Sequence, residues 1–200
     1  MLLQKKPKVF ASNSDEYNYR IFRRLCSLSV FITRCADSVL CRGMFQAKWS
    51  AKVQAEVIKN VEGNNPSVSG RLKRTFELME RAAPDFRSEP TRSTIELVSQ
   101  SSTDPKDIEI LAAAIDGACT HLVTSNLKDF DIAYGSARGV AVMHPDEFLE
   151  RLIENNLESA RAGFEAVLAR CKNPPRSKAD YCDAFKNNRL PKAASKLEYL

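Results

Sequence analysis

Apolar positions along this chain follow a helical spacing in some stretches and form short continuous runs in others. Ile108, Leu111, Ala112 and Ile115 recur as one helical face. Asp104 with Pro105 reads as the start of that helix and Gly117 as its stop. His121 to Thr124 then reads as a short buried strand, Val140 to Met143 as another, and Thr94 to Val98 as a weaker run that suits a third. Upstream, Ser50 is a natural N-cap for a helix with Val53, Val57 and Val61 on one face. Leu72, Phe76, Met79 and Ala83 mark a further amphipathic helix that Pro84 ends. Strands alternating with helices predict an α/β fold with a mainly parallel sheet covered on both faces.

Beyond His144 the pattern is helical throughout. Pro145 and Asp146 open a helix carrying Phe148, Leu149 and Leu152, and Leu157, Phe164, Val167, Leu168 and Cys171 define the next. Asn173, Pro174 and Pro175 force a break, after which Ser177 and Asp180 resemble a capping box ahead of Tyr181 and Phe185. A tail of this length cannot bury a core of its own, so it is expected to pack on the α/β part or on a partner subunit. Residues 1–19 are polar and aperiodic and read as an N-terminal tail. The expected division is therefore a tail at 1–19, an α/β domain at 20–143 and a helical extension at 144–200.

Charge and cysteine content narrow the class. Thirty Lys and Arg against 25 Asp and Glu give a net charge of +5, which permits a polyanionic partner without requiring one. Arg161, Arg170, Lys172, Arg176, Lys178, Lys186, Arg189, Lys192 and Lys196 suit RNA phosphates, but a solvated helix surface accounts for them equally well. Six cysteines form no CxxC pair and have no histidine at zinc-finger spacing, which favours reduced thiols in a cytoplasmic protein. The start lacks the apolar run of a signal peptide, and no stretch has the length to span a membrane. Glycine-rich phosphate loops and the serine nucleophile motif are absent from the sequence, and structural roles are expected for His121 and His144.

Acidic groups carry the remaining chemistry. Thr124, Asn126 and Asp129 lie just past the predicted strand, where open α/β sheets collect ligands, and Asp107 can reach the same rim from the first turn of the preceding helix. Glu56 sits at the edge of an apolar helix face, where an ionised carboxylate needs a partner or a cation. Carboxylates without a His or Cys cluster suit a hard cation such as Mg²⁺. Read alone, Asp107 also serves as an ordinary helix cap and Glu56 as a rim residue. Trp49, next to Ser50, is expected to be a packing residue at the helix entry.

The stretches DPKDIEILAAAI at 104–115 and LVTSNLKDF at 122–130 resemble the PIN-domain family of metal-dependent ribonucleases, in its bacterial VapC-like toxin branch with a C-terminal helical extension. GMFQAKWSAKVQAEVIKNV at 43–61, HPDEFLERL at 144–152 and PPRSKADYCDAF at 174–185 resemble that branch in the same order. The resemblance implies a PIN-like three-layer sandwich with a mainly parallel central sheet, and a Mg²⁺- or Mn²⁺-dependent endoribonuclease, a toxin of a type II toxin–antitoxin pair. Its partners would be an RNA substrate, an antitoxin protein and a second copy of the chain. It assigns catalysis and metal binding to Glu56, Asp107 and Asp129, with Thr124 and Asn126 orienting ligands or water. The family's first strand ends in a further metal-binding Asp; here the corresponding run, Leu25 to Val30, carries Cys26 at that place. A thiol is a poor ligand for Mg²⁺. A one-base shift of reading frame over roughly residues 23 to 42 would account for the loss, as a hypothesis, because codons for Arg23 to Ser27 read one base later can spell Asp-Ala-Cys-Val. The alternative to an active enzyme is an inactive PIN-like interaction module or a degraded gene product.

Overall fold

The computed structural model describes residues 8–11, 44–64, 71–82, 85–170 and 175–200. Among them four short strands pair side by side, all parallel: β1 (Lys8–Ala11), β2 (Gln46–Lys48), β3 (His121–Val123) and β4 (Ala141–Met143). Their order across the sheet is β2-β1-β3-β4. Val9 is level with Ala47 on one side and with His121 on the other, and Leu122 is level with Val142. β1 comes from the segment expected to be a tail. Four residues are too few to show a period, and pairing on both edges fixes them as a strand. The predicted first strand at Leu25 to Val30, with Cys26, lies outside the described residues.

Helix α1 (Ala51–Asn64) begins where Ser50 Oγ accepts the N–H of Val53 at 3.3 Å, as the sequence predicts. Trp49 is buried and stacks on Phe86 at 4.7 Å between ring centroids. In place of an apolar staple, its indole N–H donates to Gln54 Oε1 at 3.3 Å, one turn into the helix. α2 (Arg71–Ala82) places Phe76 in the same core.

The run at Thr94 to Val98 is helical, not a strand. Thr91 caps α3 (Arg92–Val98), and the Asp116 carboxylate accepts the N–H of Thr91 at 2.5 Å and the Thr94 hydroxyl at 2.7 Å. Those bonds outweigh the β preference of Thr94, Ile95 and Val98. α4 (Ile108–Asp116) likewise begins later than expected. Asp104 closes a turn instead, its carboxylate accepting Lys106 N–H at 2.9 Å and its carbonyl Asp107 N–H at 2.8 Å, and Asp107 becomes the N-cap. Gly117 does follow α4, but for a reason of space. Its φ is −70°, while the left-handed residue is Ala118 at φ 48°. A Cβ on Gly117 would stand 2.4 Å from Ser88 Oγ, which donates to Ala113 O at 2.7 Å. α5 (Ile132–Ala137) follows, capped by Asp131.

Successive residues of β3 divide between two apolar clusters, as a period of two requires. Leu122 and Val142 pack with Trp49, Val53, Phe76 and the fully buried stretch Ile110 to Ala114. Val123, Ala141 and Met143 pack with the C-terminal helices α6 (Pro145–Asn155), α7 (Leu157–Arg170), α8 (Lys178–Asn187) and α9 (Pro191–Glu198). The helical extension thus covers one face of the sheet, on this same chain. Among the described residues no helix is long and apolar enough to cross a membrane.

Candidate functional site at the carboxyl edge of the sheet

The chain goes from β1 to β2 on one side and reaches β3 on the other, so the strand order reverses between β1 and β3. In an open parallel sheet such a reversal opens a crevice beyond the carboxyl ends of the two strands. Thr124 stands at that edge, buried, its N–H donating to Met143 O at 3.1 Å and its Oγ1 accepting Asn126 N–H at 3.1 Å. The hydroxyl thereby sets the turn that follows β3. Asn126, also buried, donates through Nδ2 to Asp129 Oδ2. Asp129 belongs to a single 3₁₀ turn, Leu127–Asp129, and its carbonyl accepts the N–H of Asp104 at 2.8 Å.

That last bond brings the start of α4 to the same rim. Asp107 is 1% exposed, and its carboxylate makes no capping bond to its own helix. A carboxylate so withdrawn from water is costly, although the partial positive charge at a helix N-terminus favours it.

Glu56 approaches from α1. Its link to the α4 end is Lys52, one turn earlier, whose Nζ lies 2.9 Å from Glu109 Oε2 and donates to Lys106 O at 3.2 Å. Burial pushes the Glu56 carboxyl above its usual range; the Lys52 charge opposes that shift and the Glu109 charge adds to it. Glu56, Lys52 and Glu109 therefore share one electrostatic neighbourhood. Sequence reasoning missed Lys52 and Glu109. Each sits within one turn of an expected site residue, but their pairing joins segments far apart in sequence and leaves no periodic signal.

The predicted site residues are thus partly gathered. Thr124, Asn126 and Asp129 are joined by hydrogen bonds, the backbone of Asp107 is tied to Asp129 through Asp104, and Glu56 feels the charges of the Lys52–Glu109 pair. All are oxygen donors, which suits a hard cation. Yet among the described residues no three His, Cys, Asp or Glu side chains come together where they can hold one ion. Asp129 is engaged by an amide and Glu109 by an ammonium, so this donor set does not fit a closed ion cage.

The other sequence candidates have structural roles. His144 Nδ1 accepts the N–H of Asp146 at 3.2 Å and caps α6, and the His121 ring packs on Phe148. Cys119 and Cys182 are buried. Of the basic residues in the extension, Lys186 pairs with Glu198 at 2.5 Å, Lys192 with Glu150 at 3.6 Å and Lys196 with Glu154 at 2.6 Å. The charge of these three is answered within the protein.

Residues 145–198 match the family model of the VapC50 C-terminal domain. The match spans α6 to α9, the helices that cover one face of the sheet. It points to a VapC-like toxin family through this region. No curated protein and no solved structure matches the chain.

Proposed function

We propose that the chain is a VapC-like protein of a toxin–antitoxin pair, built on a PIN-like scaffold whose Mg²⁺- or Mn²⁺-dependent endoribonuclease site is incomplete. The observation that carries this reading is the placement of its two parts. The region matched to the VapC50 C-terminal domain packs on a parallel sheet whose carboxyl edge holds Asp107, Thr124, Asn126 and Asp129. A divalent cation at such a site would supply the positive charge that activates water and offsets charge on the phosphate. The chain's own contributions are simpler. Thr124 fixes the turn after β3, Asn126 holds Asp129, and Asp107 presents a buried carboxyl group at the start of α4. With Cys26 at the place of the first acidic residue, cleavage is weak or lost, and binding of an antitoxin protein is the function that survives.

The test is cleavage of single-stranded RNA with Mg²⁺ or Mn²⁺ by the chain as it stands, by Asp107→Asn and by a chain whose residues 23 to 28 are restored to a family-like sequence with Asp at the expected position. Weak cleavage that rises on this repair and disappears when Asp107→Asn is added supports the reading. Strong metal-dependent cleavage indifferent to Asp107→Asn sinks the residue assignment. No cleavage by any of the three leaves an interaction module.

A further inference from the structure

Asp131 is the N-cap of α5, and a cap needs one acceptor oxygen. Oδ1 meets that need by accepting the N–H of Tyr134 at 2.9 Å. Oδ2 turns instead to a loop 29 residues upstream, where it accepts the N–H of Ser102 at 3.1 Å and the Ser102 hydroxyl at 2.9 Å. The backbone makes a second tie, since Asp131 N–H donates to Oγ1 of the buried Thr103 at 3.1 Å. Thr103 N–H in turn donates to Ser101 Oγ at 3.2 Å, and that hydroxyl donates to Val98 O at the end of α3 at 2.7 Å. Tyr134 reaches the same end of α3, its hydroxyl donating to Leu97 O at 2.6 Å. A serine, threonine or asparagine would cap α5 as well; accepting from both segments at once takes the two oxygens of a carboxylate.

Next along the same two segments, Asp104 N–H donates to Asp129 O at 2.8 Å, and Asp104 O accepts the N–H of Asp107 at 2.8 Å. We propose that Asp131 is a positioning residue for the carboxyl edge of the sheet. Its carboxylate, through Ser102, and its N–H, through Thr103, hold the turn that carries Asn126 and Asp129 in register with the start of α4 that carries Asp107. The proposal rests on the reading of that edge as a nuclease site, and it adds residues that touch none of the reacting groups.

The test is residue-resolved amide hydrogen exchange on the unaltered chain, Asp131→Ser and Ser102→Ala, which needs no cleavage. Serine keeps a good cap for α5 but is too short, with a single oxygen, to serve both segments. Exchange at the Asp104 N–H is expected to rise about tenfold in Asp131→Ser, the scale of one lost bond to a charged group. It should rise less in Ser102→Ala, which keeps the backbone tie, and return to its original rate in Ser102→Thr. Gly135, whose N–H donates to Asp131 O in the first turn of α5, should exchange as before. A cap and nothing more predicts the reverse, faster exchange at Gly135 with Asp104 unchanged, and that result overturns the proposal. So does no change at either amide, or an equal rise at both, which reports a loss of stability as a whole. In a chain repaired over residues 23 to 28, Asp131→Ser should also lower kcat for RNA cleavage about tenfold at unchanged KM, as displaced groups do. Full kcat there overturns the positioning role. A repaired chain that cleaves nothing sinks the nuclease reading, while the exchange result still decides whether Asp131 holds the two segments together.

Discussion

Asp146 on α6 caps a different helix: its carboxylate accepts the N–H of Ala193 at 2.9 Å and of Lys192 at 3.2 Å, at the first turn of α9. Pro191 brings no N–H there, and Leu190 supplies no side-chain cap, so Asp146 satisfies donors that the local sequence leaves open. Glu150 and Glu154 continue the row along α6 and pair with Lys192 and Lys196 along α9. The pairs advance together, so the two helices run side by side in the same direction. This gives a structural role to the HPDEFL stretch: His144 caps α6, Pro145 starts it, and Asp146 fastens α9.

Asp146→Ala should therefore destabilise the protein by about 2 kcal/mol, the scale of leaving buried backbone donors unmet at a helix N-terminus. Urea unfolding measures it. A loss below about 0.5 kcal/mol, within the range of ordinary surface changes, would show that α9 holds its place without this cap.

Burial lowers the folded-state pKa of both His144 and His121, although Asp146 and Glu147 pull His144 the other way. A depressed histidine pKa means that the unfolded chain binds more protons, so stability present above the unfolded value, about 6.5, is lost as pH falls toward the folded value. Glu56 has the opposite sign: raised in the folded state, it contributes stability at low pH that is lost as pH rises through its folded value. The difference between the unaltered chain and His144→Asn isolates the histidine. Asn keeps a side-chain oxygen for the cap and does not titrate, so the variant should lose less stability between about pH 7.5 and pH 5. Parallel melting curves over that range refute the linkage.

Gly117 and Ala118 make a paired prediction. Ala118 holds a left-handed conformation that costs an L-residue about 1 kcal/mol, so Ala118→Gly should stabilise by a fraction of that to about 1 kcal/mol. Gly117→Ala should destabilise, since its Cβ would displace Ser88 Oγ from the bond to Ala113 O. Thermal melts of both variants decide. Equal small effects would mean that the loop between α4 and β3 relaxes around either change.

The sequence made α4, β3, β4 and the C-terminal helices legible because each carries a local signal: the apolar face through Leu111, the short run at His121, the Ser177 capping box. Thr94 to Val98 was misleading, since residue type alone favours a strand and the bonds that decide for a helix come from Asp116, some twenty residues away. β1 was illegible for the same reason, as two neighbouring strands define it. At the site, the rim residues after β3 could be read from position alone. The Lys52 to Glu109 contact could not, since nothing local ties α1 to α4.

Asn126 offers the sharpest probe of what the rim can hold. Its amide donates to Asp129, so Asn126→Asp replaces a hydrogen bond with two carboxylates at contact distance. Two such groups cannot both ionise cheaply, and one pKa must rise. In EDTA the variant should be less stable than the unaltered chain at about pH 7.5 and should recover toward about pH 5, as one carboxyl takes up a proton. If the edge beyond β3 accepts a divalent ion once enough negative charge is present, millimolar Mn²⁺ should restore the melting temperature at the higher pH, while the unaltered chain barely responds. A variant that recovers on acidification but not with Mn²⁺ would place the carboxylates together yet deny the rim a cation. A variant unaffected by either would show that the Asn126 and Asp129 side chains separate in solution.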